Sequence, residues 1–159
     1  MNGILQGLRV IEGSAFIAAP SAGMTLAQMG AEVIRFDPLG GGLDYRRWPV
    51  TANGESIYWA GLNKGKKSFA VDIRNHRGRE LLTQLICMPG ENNGIFLTNF
   101  PTSGWMSYET MRGRRDDLIM LNIKGNRDGS SEVDYTVNPA TGFPNLTGPV
   151  GEMAPVNHV

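Results

Sequence analysis

Cysteine is almost missing from this sequence. Cys87 is the only one in 159 residues, which excludes an internal disulfide and a thiolate metal cluster. An excess of either charge is also lacking, since 15 Lys and Arg balance 15 Asp and Glu. No bulk field therefore draws the chain to nucleic acid or to an anionic membrane. No apolar run approaches the ~20 residues of a membrane span, and the N-terminus lacks the basic, apolar and small-residue order of a signal peptide. Histidine is scarce. His76 and His158 stand without acidic or cysteine partners at ligand spacing, so no metal is expected. The expectation is a soluble cytoplasmic protein that binds neither nucleic acid nor membrane. Glycine and proline, by contrast, are plentiful (21 and 9), which suits a loop-rich α/β protein better than a helical bundle.

Elements alternate along the chain. Residues 9–12 form a β-branched run, followed by the small-residue stretch 13–19. Pro20 and Ser21 open a helix lined by Met24, Leu26, Ala27 and Met29, and Gly30 stands where a glycine ends one. "EVIRFD" (32–37) reads as a second strand with Val33, Ile34 and Phe36 as core residues. "PLGGGLDY" is a loop. "KSFAVDI" (67–73) reads as a third strand, and Asn75 caps a helix in which Leu81, Leu82, Leu85 and Ile86 recur at helical spacing. Pro89 and Gly90 break it. A fourth strand at 94–98, a short polar helix at 108–112 and a fifth strand at 118–123 follow. Strands separated by such helices imply right-handed crossovers and a parallel sheet covered on both faces. The expected fold is therefore α/β, with a Rossmann-like region over 1–125 and an irregular segment over 126–159.

Ligands of open α/β sheets lie outside the carboxyl ends of the strands. Those ends are residues 13–19, residues 38–45, the turn after Val71, and Asn99, Phe100 and Pro101. The first turn is not G-x-G-x-x-G, so its small residues serve either close packing or backbone approach to a ligand. Asp37 invites the ribose-hydroxyl role of NAD enzymes. Gly40, Gly41 and Gly42 with Arg46 and Arg47 suit a phosphate or a plain solvated turn. Lys64, Lys66 and Lys67 read as a phosphate contact or, more commonly, a solvated charge run. Trp48, Trp59 and Trp105 read as packing residues.

The blocks "GLRVIEGSAFIAAPSAGMTLAQMGAEVIRFDPLGGGLDYRR", "LNKGKKSFAVDIRNHRGRELLTQLI", "LTNF" and "FPNLTG" resemble, in order and spacing, the opening of the class III CoA-transferases, the family of formyl-CoA transferase and α-methylacyl-CoA racemase. "GGGLDYRRWPV" and "EVDYTVNP" are most similar to members that move CoA within mesaconyl-CoA. The resemblance implies the incomplete large domain of such an enzyme, an acyl-CoA substrate and interlocked homodimers. It also implies an aspartate that attacks the thioester, giving a mixed anhydride and a CoA thiolate. Residue by residue, Ala18 matches a backbone contact to CoA, Val71 and Arg74 match positions at the adenosine end, and Asn99 matches a cofactor contact. Ile17, Pro38 and the segment 99–104 depart from the family pattern. Val133 stands where racemases carry a histidine, so the proton shuttle of a racemase is not expected. Asp134 is expected to have a structural or substrate-side role, and the nucleophilic aspartate to lie a few residues beyond Val159. The chain then reads as the front part of such an enzyme, inactive alone. Two rivals are a non-catalytic α/β binding or assembly module and an NAD-type dinucleotide enzyme resting on Asp37.

Overall fold

The structure is a computed structural model that describes residues 3–130, 132–151 and 156. His158 lies outside the described residues. The chain divides into two compact units, Met1–Ile123 and Lys124–Val159.

The first unit is built on one five-stranded sheet of order β3-β2-β1-β4-β5. The strands are β1 (Arg9–Gly13), β2 (Glu32–Asp37), β3 (Lys67–Ala70), β4 (Ile95–Thr98) and β5 (Ile119–Asn122). Every pairing is parallel, as the alternation of strand and helix demands. Because side chains alternate across a strand, the two faces collect different residues. Ile11, Phe36, Leu82, Ile86, Phe96 and Met111 form one apolar cluster. Val10, Val33, Leu97, Ala19 and Ala31 form the other. Phe96 and Leu97, adjacent on β4, are both essentially sealed from solvent. Full burial of such a side chain stabilises the fold by roughly 1.5–3 kcal/mol.

Helix α1 spans Ala18–Gln28. Its end follows from Gly30, whose φ of 106° only glycine adopts freely. The N–H of Gly30 donates to the carbonyl of Ala27 and that of Ala31 to Leu26, both at 3.0 Å, which satisfies carbonyls the last turn leaves open. A short helix α2 (Ile57–Leu62) starts at Ser56, whose side chain accepts the N–H of Trp59. In α3 (His76–Ile86) the Asn75 side chain accepts the N–H of Arg77. Leu82 and Ile86 turn inward, whereas Leu81, expected beside them, is exposed. A 100° step per residue takes it off the buried stripe. Helix α4 (Tyr108–Arg112) has the bounds read from the sequence.

The second unit, expected to be irregular, contains helix α5 (Asp134–Ala140) and a 3-10 turn at Phe143–Leu146. The Thr136 hydroxyl accepts the N–H of Val133 at the start of α5. Among the described residues no helix is long and apolar enough to cross a membrane.

Candidate functional site

At the carboxyl ends of β1 and β2 the pattern of the strands changes. Val10 and Val33 are packed under α1, and two residues further along the same face stand Glu12 and Arg35, which are also register partners. Both are buried. Arg35 donates through Nε to Asp37 at 2.9 Å and through NH2 to the other Asp37 oxygen at 2.9 Å. It also reaches the Ser14 hydroxyl, the Asn63 carbonyl oxygen and the Ser14 backbone carbonyl, each at 3.0 Å, and Asp44 at 3.3 Å. Lys66 extends its ammonium under α1 to Glu12 at 2.8 Å, Pro20 carbonyl at 2.8 Å and Asn63 at 2.9 Å. Burial, opposed by Lys66, Ser14 and Arg35, pushes the Glu12 carboxyl above its ordinary value. Burial likewise pulls the Lys66 ammonium below its own, against the attraction of Glu12. Buried charges of this kind persist only when paired and hydrogen-bonded.

The cluster fixes the turn between β1 and α1 from below. Ser14 and Pro20 carbonyls are held by Arg35 and Lys66. Asn99, at the end of β4, receives the Ala15 N–H on Oδ1 at 2.9 Å and donates Nδ2 to the Ala15 carbonyl at 2.8 Å. Asp44 accepts the N–H of Phe16 at 3.1 Å. Phe16 itself has a φ of 64°, the one non-glycine residue in the left-handed region among those described. Phe16, Ile17 and Ala18 are exposed between buried neighbours on either side. A rigid turn thus offers three exposed residues, and the first N–H groups of an eleven-residue helix, at the sheet edge where ligands of such folds bind.

The residues singled out from the sequence fall unevenly around this turn. Ala18 is the first residue of α1 and exposed. Asn99 clamps the turn from beneath. Val71 is buried in the cluster with Phe36 and Leu82, its N–H donating to Asp37 carbonyl at 3.0 Å. Arg74 lies exposed just before α3, paired with Asp72 at 3.1 Å. Asp37 is buried, 6% exposed, with its carboxylate turned inward onto Arg35 and not outward to a ribose hydroxyl; the NAD reading loses its principal residue. Lys66, read as part of a solvated run, is sealed from solvent. Trp48, read as a packing residue, is 80% exposed, whereas Trp105 packs on the core and Trp59 meets Tyr45 edge-on. His76 is exposed at the start of α3. Cys87 is half-buried, and burial pushes its thiol up, away from a reactive thiolate. Among the described residues no group of His, Cys, Asp and Glu is placed to hold a metal.

Fold and site together define an α/β domain of Rossmann-like form with a clamped turn at the carboxyl edge of its sheet. Residues 5–158 match the family described as CoA-transferase family III, and the chain belongs to that family. It is 68% identical to 2-methylfumaryl-CoA isomerase of Chloroflexus aurantiacus over all of this chain and 39% of that protein. It is 32% identical to succinate–glutarate CoA-transferase of Agrobacterium fabrum, over 91% of this chain and 39% of that one. A crystal structure of a CAIB/BAIF family protein from Brucella suis superposes with a TM-score of 0.84 at 28% identity, over 100% of this chain and 44% of that chain. The chain thus spans about two fifths of the length of these relatives.

Proposed function

We propose that this chain is the CoA-holding N-terminal part of an enzyme that moves CoA between the two carboxylates of mesaconate, working on mesaconyl-CoA. The observation that carries the reading is the 68% identity to 2-methylfumaryl-CoA isomerase across the whole chain. The clamped turn supports it, since a turn tied down at Ser14, Ala15, Phe16 and Pro20 is preorganised for a ligand at its outer side.

In this reading Ala18 contacts CoA through its backbone, and Val71 and Arg74 line the adenosine end, Arg74 by charge and Val71 by shaping the turn before α3. Asn99 spends both ends of its amide on Ala15, so it serves the substrate by holding the turn. An aspartate carboxylate beyond residue 159 attacks the thioester carbonyl, the C–S bond breaks, and an aspartyl anhydride and CoA thiolate result. The thiolate attacks the aspartyl carbonyl of that anhydride, which frees mesaconate and leaves an aspartyl-CoA thioester. The acid's other carboxylate attacks this thioester and expels the thiolate again, and thiolate attack on the acyl carbonyl of the new anhydride sets CoA on the opposite end and frees the aspartate. The task of this chain's residues is to keep the thiolate in place between the two attacks, which raises its effective concentration far above that of free CoA. A cytoplasmic homodimer completes the proposal.

The test uses the protein at the full length of its relatives. Incubation with mesaconyl-CoA is expected to yield the isomer carrying CoA on the other carboxylate, separable by chromatography, without exchange of labelled free CoA into product. A protein that binds mesaconyl-CoA and leaves it unchanged refutes the reading, and formation of succinyl-CoA from added succinate points to intermolecular transfer instead.

A further inference from the structure

Arg47 lies in the loop after β2, and two other elements converge on it. Its guanidinium carbon sits 5.4 Å from the centroid of the Phe16 ring and 4.7 Å from that of Tyr58. Phe16 comes from the β1–α1 turn and Tyr58 from α2. The backbone is fixed as firmly. Its N–H donates to the Asp44 carbonyl at 3.0 Å, and its carbonyl accepts the Ser56 hydroxyl, the same hydroxyl that caps α2.

Among the described residues the guanidinium has no ion pair and no hydrogen bond; its contacts are the two rings. Aromatic faces attract the charge but offer no lone pair to the five N–H donors. Arg35 marks the contrast, with its donors consumed by Asp37, Asp44, Ser14 and Asn63. Arg47 is therefore a preorganised cation with its donor fork unspent, placed beside the exposed residues of the clamped turn. The same arrangement gives a reason for Phe16. A left-handed φ at a bulky residue persists only where its surroundings over-determine it, and here the backbone of this exposed residue is held by Asp44 while its ring lies against Arg47.

We propose that Arg47 is a binding residue for a pair of anionic oxygens of the acyl-CoA substrate, presented to the ligand by Phe16 and Tyr58. The proposal rests on the acyl-CoA reading above. Two sources share this chemistry, the free carboxylate of the acyl group and the phosphates of CoA, and both suit a planar two-pronged donor.

The experiment measures dissociation constants of CoA and of mesaconyl-CoA by calorimetry, on the protein at its relatives' full length, for wild type, Arg47→Gln and Arg47→Lys. Arg47→Gln is expected to weaken at least one ligand by roughly 10- to 100-fold, the range of a charge-assisted pair. Equal loss for both ligands assigns the phosphates, and loss for mesaconyl-CoA alone assigns the carboxylate. Arg47→Lys is expected to recover only part of the affinity, because it keeps the charge without the fork. Phe16→Leu, which keeps the arginine and removes its ring, is expected to weaken the same ligand by a smaller factor, and reports even where an Arg47 variant does not fold. Binding of both ligands by Arg47→Gln within twofold of wild type, or an unchanged Phe16→Leu where only that variant folds, overturns the proposal. Failure of the wild type itself to bind either ligand overturns the acyl-CoA reading, and this inference with it.

Discussion

Lys66 and Glu12 meet at 2.8 Å beneath α1, both sealed from solvent, yet only one oxygen of the carboxylate takes part. The other, Oε2, is buried with no hydrogen-bond partner among the described residues. The cluster holds three carboxylates, Glu12, Asp37 and Asp44, against two cations, Arg35 and Lys66. Removing one member therefore has unequal consequences depending on its sign. Lys66→Met leaves three buried carboxylates to Arg35 alone and is expected to cost about 3–5 kcal/mol. Glu12→Gln keeps an acceptor for Lys66 and Ser14 while equalising the charges, and is expected to change stability by no more than about 1 kcal/mol. Denaturant unfolding of both variants checks this, and equal losses would sink the argument.

The same pair sets a pH dependence. Burial holds Glu12 above its ordinary value of 4.5 despite Lys66. A carboxyl raised in the folded state contributes stability that is fully present below 4.5 and is lost as pH rises through the folded value. Lys66, lowered from 10.5 by burial, contributes stability present above that value and lost as pH falls through its folded one. Glu12→Gln removes the first of these titrations. The stability of wild type relative to Glu12→Gln is therefore expected to be greatest near pH 4, to decline with rising pH and then to level off. A difference that grows towards neutral pH contradicts the assignment.

Gly23 lets α1 lie directly on the Glu12 carboxylate. A Cβ at that position would stand 1.7 Å from Oε2. Helix propensity alone favours Ala over Gly by about 1 kcal/mol, so the sign of the measured effect separates propensity from contact. Gly23→Ala is expected to destabilise by about 2 kcal/mol or more. Combining it with Glu12→Ala, which vacates the space, is expected to give less than the summed loss of the two single changes. Additivity within a few tenths of a kcal/mol places the clash elsewhere.

Much of this scaffold is legible in the sequence because its signals are local. The β-branched run of 32–37 has the bounds of β2, Asn75 caps α3, and Gly30 closes α1. The charged cluster is less legible, since charged residues are read as solvated unless a partner is in view. Its signal was present all the same. Glu12 and Arg35 each follow a core valine by two residues on adjacent parallel strands, so the period that buries Val10 and Val33 buries them too. Helices α2 and α5, of six and seven residues, are too short to show a period. Pro139 within α5 also reads as a breaker. Trp48 is misplaced because it reads as packing for want of a basic stripe beside it, whereas the whole stretch 45–55 is exposed with it.

Asp44 links the glycine loop to the turn that carries Ala18, and it has no solvent exposure. One oxygen accepts the Phe16 N–H at 3.1 Å and the other faces Arg35 at 3.3 Å. Asp44→Asn preserves the shape but turns an amide NH2 towards one of two donors, either Arg35 or the Phe16 N–H. A hydrogen bond to a charged group contributes about 1.5–3 kcal/mol, so CoA binding by the full-length protein is expected to weaken roughly 10- to 100-fold if that bond holds the turn. Glycine adopts a φ near 64° without steric cost. Phe16→Gly in the Asp44→Asn background is therefore expected to restore part of the lost affinity, although alone it weakens binding. Calorimetry on the four proteins of this cycle decides the matter. Recovery in the double variant shows that Asp44 acts on the ligand through the conformation of residue 16, whereas losses that simply add show that its contribution lies in the buried cluster and not in the turn.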